Sequence, residues 1–258
     1  MIVDYLYRFT PAEILILRDG YDVKLSDIFK FTFVDLIYKK VICFDLLQHF
    51  EVKTKFFISI SKGLNYDQYN ANQHEVNFKL TIKNHERLLL NEYVRDYLKK
   101  SKNGNQIKNS IIEQQLEGCF DRSFLDGLFN RFKRNEHAKV LYRNIETELR
   151  ILETELQKNN IVSEENFKQL TSLNGNILFL NKDTCPIIKD IEKEIQHQLN
   201  KDNRSDFDFG AADFSSGLLD IAFSSLDTSG FDFDGFGGGD FGGGGTDGSW
   251  DILDISFD

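Results

Sequence analysis

The stretch FTPAEILILRDG, residues 9–20, marks both the beginning and the end of a helix. Thr10 and Glu13 have the spacing of a capping box, in which each side chain bonds the backbone N–H of the other residue. Pro11 suits the first turn of a helix, because its missing N–H leaves no hydrogen bond unmade there. Gly20 ends the helix, since glycine tolerates the backbone conformations that follow a last helical turn. The stretch therefore predicts one short helix with a defined start and stop.

The residues after this helix predict a second helix and then strands. Residues 25–40 have apolar side chains recurring on one face, with Ser26 as the cap. Two runs rich in β-branched and aromatic residues, at 41–47 and 55–61, are separated by a polar turn and predict two β-strands. After a long polar loop, VNFKLTI at 76–82 is interpreted as a returning strand. This order of helices and strands predicts a small winged-helix-like unit.

The strongest periodic signal in the chain lies in EHAKVLYRNIETELRILETELQKNN, residues 136–160. Its apolar residues are three or four apart, with charged residues between them: Leu141, Ile145, Leu149, Leu152 and Leu156. A coiled coil needs three or four heptads and this pattern covers about two, so packing within a domain is favoured. Shorter patterns predict helices at 85–100, 106–116 and 186–199, and a strand at 177–180.

The net charge of −10 comes from one end of the chain. Residues 1–200 hold 29 Lys and Arg against 28 Asp and Glu, whereas residues 201–258 hold two basic residues, 13 Asp and 12 of the 18 glycines. Glycine has the most backbone entropy to lose on folding, so such a segment does not fold alone. We therefore predict a helix-rich α+β protein in three parts. These are a winged-helix-like unit at 1–80, a second helical winged-helix-like unit at 81–200, and a disordered acidic Gly/Asp/Phe-rich tail at 201–258.

The tail also carries nine Phe and the Trp of the chain. Asp and Phe alternate in it, a pattern typical of disordered segments that dock on partner proteins. Near its end, SWDILDISFD has five apolar residues at helical or strand spacing, and these are the candidate partner-binding residues: Trp250, Ile252, Leu253, Ile255 and Phe257. We therefore predict a non-enzymatic protein–protein interaction or adaptor protein. The simpler alternative is a tail that only solubilises the chain.

Nucleic-acid binding is the alternative function, since winged-helix units commonly bind DNA. The basic segment RFKRNEHAKVLYR offers five cations against Glu136, and they are the candidate DNA-binding residues: Arg131, Lys133, Arg134, Lys139 and Arg143. The second helix is a poorer candidate, because its cations alternate with acids, and we interpret its polar residues as a solvated face: Lys30, Lys39, Lys40, Asp27 and Asp35. The near-neutral charge of residues 1–200 also disfavours this alternative.

No local motif indicates a catalytic centre, a cofactor or a metal. The five histidines are widely separated and none neighbours a cysteine, so their spacing supports no zinc site. A Gly-x-Gly-x-x-Gly match at 237–242 lacks the flanking strand and helix that a dinucleotide site requires. Cys43, Cys119 and Cys185 are too scattered for a disulfide framework, so we expect reduced and mostly buried thiols. The sequence therefore predicts no enzyme and no catalytic, cofactor-binding or metal-binding residue.

The apolar stretch MIVDYLYRF has no basic residue before it, so it is not typical of a signal peptide. No apolar run approaches the ~18 residues that a membrane helix requires. These two features favour a cytoplasmic protein without a transmembrane segment.

Four stretches together resemble one protein family. They are TPAEILILRDG, DIFKFTFVDLIYKKVI, NHERLLLNEYV and FGGGDFGGGG. They are similar to the cytosolic region of bacterial predicted membrane proteins of unknown function, which pair two winged-helix-like units and finish in a Gly-rich tail. This sequence departs from that family in its aspartate-rich tail and in having no transmembrane run. The resemblance implies a fold and no activity, since the family has none assigned.

Overall fold

A computed structural model describes the chain at residues 4–48, 56–101, 104–121, 132–159, 170 and 172–180. Its α-helices are α1 (Asp4–Arg8), α2 (Pro11–Asp19), α3 (Leu25–Tyr38), α4 (Gln73–Ile82), α5 (Leu90–Ser101), α6 (Gly104–Gln115) and α7 (Glu136–Asn159). Its strands are β1 (Ile42–Gln48), β2 (Phe56–Lys62), β3 (Arg87–Leu89), β4 (Phe120–Asp121) and β5 (Lys133–Arg134). Two 3₁₀ turns lie at Gly20–Asp22 and Asn174–Phe179. The helix-rich α+β class predicted from sequence is confirmed.

The capping box predicted at the start of α2 is present. The backbone N–H of Thr10 donates to Oε2 of Glu13 at 2.7 Å, and the backbone N–H of Glu13 donates to Oγ1 of Thr10 at 3.4 Å. Pro11 occupies the first turn, as predicted. Gly20 follows the helix with a φ of +69°, in the left-handed region that favours glycine. Local sequence thus determines both ends of α2.

The two predicted strands form an antiparallel hairpin. Ile42 lies opposite Lys62, and β3 adds to the other edge of β2, with Leu88 opposite Ile60. The sheet order is therefore β1-β2-β3. The polar turn predicted between the first two strands falls mostly within 49–55, outside the described residues.

The prediction of a strand at VNFKLTI is wrong, because these residues belong to α4. The helix begins with a second capping box, in which Asn72 and Glu75 bond each other's backbone N–H. A capping box fixes the helical start, and the inward residues then recur every three or four positions along α4. These buried residues are His74, Glu75, Phe78, Thr81 and Ile82.

Three smaller predictions also differ from the structure. The helix predicted at 85–100 begins as the strand β3, because its first residues pair with β2. The strand predicted at 177–180 lies mostly in a 3₁₀ turn, whose first residue, Asn174, has a φ of +51°. Ser26 does not cap α3, which begins at Leu25 without a side-chain cap. The helix predicted at 186–199 is not among the described residues.

An aromatic cluster occupies the centre of the core. Phe78 of α4 lies between Phe29 of α3, with ring centroids 5.1 Å apart, and Tyr97 of α5, at 4.3 Å. The ring of Tyr93 lies tilted against that of Phe33, with centroids 5.6 Å apart, and the Tyr93 hydroxyl donates to the carbonyl of Phe78 at 2.9 Å. These contacts belong to one hydrophobic core, to which residues on both sides of position 80 contribute.

Helix α1 is held at both ends by side chains from distant parts of the chain. Buried Glu148 of α7 accepts from the backbone N–H groups of Tyr5, at 3.1 Å, and Leu6, at 2.9 Å. At the other end, the side-chain amide of Asn176 donates to the carbonyls of Leu6, at 2.6 Å, and Phe9, at 2.7 Å. Because helix termini leave backbone groups unpaired, these bonds fasten a short helix that would be marginal alone.

Helix α7 packs against the hydrophobic core, as its periodicity predicts. Ile145 is 0% exposed, and Leu141, Leu152 and Leu156 are also buried, while Leu149 is partly buried against the same core. The buried face contacts α1 and α2. No helix in the described part of the chain is long and apolar enough to cross a membrane.

Ile145→Ala should lower the free energy of unfolding by about 2–5 kcal/mol, because it removes buried methyl groups and leaves a cavity. Ile151→Ala on the same helix is the matched control, since Ile151 is 46% exposed, and its effect should stay within ~0.5 kcal/mol. Urea unfolding of the two variants measures both values. Equal losses would contradict the packing of α7 by this face.

Candidate functional site

A buried ionic cluster lies where α2, α3 and α4 meet. Its centre is Lys39, just after α3, whose Nζ is 2.6 Å from Oδ2 of Asp35 and 3.6 Å from Oε1 of Glu75. Both carboxylates are buried, and the Lys39 side chain is only 19% exposed. We call Glu13, Asp35, Lys39, Tyr69 and Glu75 the Lys39 cluster.

Tyr69 closes the Lys39 cluster on the side of the loop before α4. Lys39 Nζ donates to the Tyr69 hydroxyl oxygen at 3.1 Å, and that hydroxyl donates to the Glu75 carboxylate at 2.9 Å. Oε2 of Glu75 also accepts from the backbone N–H of Asn72 at 2.8 Å, as part of the capping box of α4. Glu75 therefore serves two purposes, starting the helix and neutralising Lys39.

Asp35 connects the Lys39 cluster to the 3₁₀ turn at 174–179. Its Oδ1 accepts from the backbone N–H of Gly175 at 2.9 Å, while its Oδ2 pairs with Lys39 one helical turn away. The backbones approach so closely that a Cβ at position 175 would lie 2.6 Å from the Cβ of Asp35. Only glycine fits there without a shift of the turn.

Glu13 adds a third buried carboxyl, which is 3% exposed. Burial and, less strongly, the Glu75 carboxylate raise the pKa of Glu13, while hydrogen bonds with Thr10 and the Lys39 charge oppose the rise, and the net result is a pKa of about 7. Burial opposes the charge on Lys39, yet the carboxylates of Asp35 and Glu75 raise the pKa of Lys39 above its ordinary value. Lys39 therefore stays protonated, and Glu13 is the group that titrates near neutral pH.

The chemistry of the Lys39 cluster is that of a structural junction. A protonated lysine is neither a nucleophile nor a base, and Lys39 is already bonded to Asp35 and Tyr69. Structural ion-pair networks shift pKa values just as active sites do. Across the described ranges, no group of three or more His, Cys, Asp or Glu side chains is arranged to hold a metal ion.

The five candidate docking residues, Trp250, Ile252, Leu253, Ile255 and Phe257, all lie outside the described residues, as does the whole of 201–258. The buried thiols predicted from sequence are found for Cys43 and Cys119. Cys185 lies outside the part of the chain that the structure describes.

The structure separates the members of the basic segment. Arg134 donates from Nη1 to the carbonyls of Leu17, at 2.9 Å, and Arg18, so it caps the carboxyl end of α2. Lys139 pairs with Glu136 at 2.6 Å. The remaining described members, Lys133 and Arg143, are exposed, while Arg131 falls outside the described residues. Among the described members, Arg134 and Lys139 are therefore bonded within the protein, and Lys133 and Arg143 lie exposed at the surface.

Sequence reasoning missed the Lys39 cluster and was wrong about two of its members. The alternation of cations and acids along α3 predicts a solvated face for Asp35 and Lys39, yet Asp35 is 1% exposed and Lys39 is largely buried. The four-residue spacing of Asp35 and Lys39 indicates an ion pair along α3. Burial of that pair follows only from the packing of Glu75 and Gly175 against it, which the local sequence does not show.

Comparisons of the chain with protein-family models, with curated proteins and with solved structures found no match.

Glu13→Gln should remove a pH dependence of stability. A carboxyl whose pKa rises on folding stays protonated in the folded chain while it ionises in the unfolded chain, so stability falls as pH rises between the two values. The pKa of Glu13 is 4.5 in the unfolded chain and about 7 in the folded chain. The free energy of unfolding of the wild type should therefore fall by roughly 3 kcal/mol as the pH rises from the first value to above the second. Glutamine can still accept the Thr10 N–H but does not titrate.

Urea unfolding of both proteins at several values between about pH 4.5 and 8 tests this expectation. The free energy of unfolding of the variant, minus that of the wild type, should grow by that amount across the range. His74, whose pKa burial and then Lys39 lower to about 3, is common to both proteins and cancels. Glu113→Gln, at an exposed position of α6, is the matched control. A flat difference for Glu13→Gln would contradict the raised pKa.

Proposed function

We propose that this protein is a non-enzymatic protein–protein interaction or adaptor protein whose tail, residues 201–258, docks on a partner. The observation that carries the proposal is the composition of that tail, which combines 13 Asp with nine Phe and Trp250. Acidic residues keep such a segment soluble, while aromatic side chains supply most of the binding free energy of small interfaces. A segment that only solubilised the chain would not need the aromatic residues.

The part of the chain before the tail, residues 1–200, is called the body. Its described residues support this proposal because their buried charges pair with one another and stabilise the fold. The Lys39 cluster contains the ionisable groups that would attract attention as catalytic candidates, and four of its five members are bonded to one another: Asp35, Lys39, Tyr69 and Glu75. Lys39 is saturated by Asp35, Tyr69 and Glu75. We therefore assign the body to support and the tail to recognition.

The proposal includes a winged-helix-like body and kinship with the family that the sequence resembles. The support is the order of elements, in which α2 and α3 precede the antiparallel β1-β2 hairpin. The second unit, proposed for residues 81–200, contains the small antiparallel pair of β4 and β5. A cytoplasmic location belongs to the same proposal.

DNA binding is a second candidate function, favoured by the exposure of Lys133 and Arg143. Lys139 of the same segment is already paired with Glu136, and residues 1–200 have almost no net charge, which disfavours binding to a phosphate backbone. Use of Arg134 as a helix cap further reduces the charge that the segment can offer to a phosphate backbone. The interaction function is therefore preferred.

Replacement of both Trp250 and Phe257 by alanine should abolish partner capture and leave the thermal unfolding of the body unchanged. Each buried aromatic anchor is worth about 2 kcal/mol or more, so the pair accounts for about a thousandfold in affinity. Capture by the full-length wild type and variant, quantified side by side from the same extract, measures the effect.

The matched control is Phe236→Ala with Phe241→Ala, which removes two aromatic side chains from the glycine tract without changing the net charge. Because Phe236 and Phe241 lie outside the candidate docking residues at 250–257, this control should retain capture. Equal capture by the wild type and the Trp250/Phe257 variant would refute the docking residues. A DNA titration at ~50 mM salt separates the second candidate, because phosphate contacts strengthen as salt falls.

A further inference from the structure

Helix α4 presents a mixed apolar and cationic face to solvent. Its inward side is buried in the core, and the opposite side carries Val76, Lys79, Leu80 and Lys83 at the i, i+3, i+4 and i+7 positions of one helical face. Val76 is 37% exposed and Leu80 is 43% exposed. We call these four residues the α4 face. Exposed branched apolar side chains next to lysines are suited to a ligand that is both apolar and acidic.

A third lysine extends the positive charge of the α4 face. Tyr66 lies between Lys62 and Lys79, whose Nζ atoms are 5.2 Å and 5.1 Å from the centroid of its ring. The Tyr66 hydroxyl donates to the carbonyl of Lys79 at 2.8 Å, which fixes the ring against α4. The ring therefore holds two ammonium groups at one place on the surface.

The charge of this surface is positive on balance. Burial, and then the neighbouring carboxylate of Asp67, raise the pKa of Tyr66, so one acid borders the ring. The ammonium groups of Lys62, Lys79 and Lys83 outnumber that carboxylate. Lys79 donates to the carbonyl of Tyr69 at 2.6 Å, and its ammonium keeps two further N–H groups for a ligand.

We propose that the α4 face and Lys62 bind a segment of this chain's own tail, DFDFGAADF at residues 206–214. The segment combines Asp206, Asp208 and Asp213 with Phe207, Phe209 and Phe214, which complement the lysines and the exposed Val76 and Leu80 respectively. Its charge of −3 opposes the three lysines.

The chain is long enough for this contact. Residues 181–205 separate Leu180, the last described residue, from the segment. Fully extended, a chain of that length spans at most about 85 Å, whereas a compact domain of some 180 residues is roughly 40 Å across. Tethering also makes the contact intramolecular, with an effective concentration in the millimolar range for a short flexible linker.

The contact would give the body a means of controlling the tail. Both sides of the contact belong to one chain, so this proposal does not depend on whether an external partner binds the tail. Where a partner also binds the tail, the α4 face competes with it, since a segment held by one surface is withdrawn from the other.

Zero-length carbodiimide coupling of the full chain tests the contact, because it joins a lysine to an aspartate only when the two side chains touch. Peptide mass spectrometry should find Lys62, Lys79 or Lys83 joined to Asp206, Asp208 or Asp213. At ~1 M NaCl, where the Debye length is about 3 Å, the yield should fall at least ~tenfold. Mixing ¹⁵N-labelled and unlabelled protein distinguishes a contact within one chain from one between copies.

Two charge-reversal variants locate the surface. Lys62→Glu with Lys83→Glu should lower the coupling of Asp206–Asp213 to Lys79 at least ~tenfold by repulsion. Lys133→Glu with Arg143→Glu makes the same charge change on the other basic surface and should leave that coupling intact. Circular dichroism should show the same thermal unfolding for both variants, because the four substituted side chains are exposed.

Three results would overturn the proposal. The first is absence of coupling between the α4 face and residues 206–213 at low salt. The second is coupling found mainly between labelled and unlabelled chains, which assigns the contact to a second copy. The third is loss of coupling in the Lys133/Arg143 variant alone, which places the tail on the other basic surface. These three results do not depend on whether the Trp250/Phe257 variant captures a partner, because Trp250 and Phe257 lie outside residues 206–214.

Discussion

Three carboxyl groups and one ammonium group share the space between α2, α3 and α4, almost out of reach of water. Burying a charge is costly unless it is paired and hydrogen-bonded, and removing one partner of a buried pair costs about 3–5 kcal/mol. Lys39 has to reach Asp35 and Glu75 simultaneously, so α3 and the start of α4 are held at one separation. Gly175 then has to lie against Asp35, which brings the chain near residue 175 to the same place.

The parts of the fold that local sequence could predict are those with local causes. The capping box of Thr10 and Glu13 determines the start of α2, and alternation of β-branched residues determines the β1-β2 hairpin. The composition of VNFKLTI predicts a strand where α4 forms, although Asn72 and Glu75 have the spacing of a capping box that favours the helix. The Lys39 cluster could not be predicted, because its members come from positions 13, 35, 39, 69 and 75 and only packing brings them together.

Local sequence and three-dimensional packing also give different rankings of the two basic surfaces as anion-binding sites. In the sequence, the segment at 131–143 is the denser run of cations, and it was the natural candidate for an anionic ligand. In the structure, Arg134 caps α2 and Lys139 pairs with Glu136. The α4 face has fewer cations in sequence, but Tyr66 gathers Lys62 and Lys79 beside exposed apolar side chains. The two proposals together assign one segment of the tail to the α4 face and another to a partner protein.

The central claim is that the buried pair of Lys39 and Asp35 is the charged centre against which Glu75 of α4 and Gly175 of the 3₁₀ turn pack, and a double-mutant cycle measures the strength of that pair directly. Lys39→Met keeps the aliphatic stem, and Asp35→Asn keeps the oxygen that accepts the Gly175 N–H. Urea unfolding of the wild type, both single variants and the double variant gives the interaction free energy. A favourable value of about 2 kcal/mol is expected for a buried, hydrogen-bonded pair. A value below ~0.5 kcal/mol, the range of independent sites, would contradict the claim.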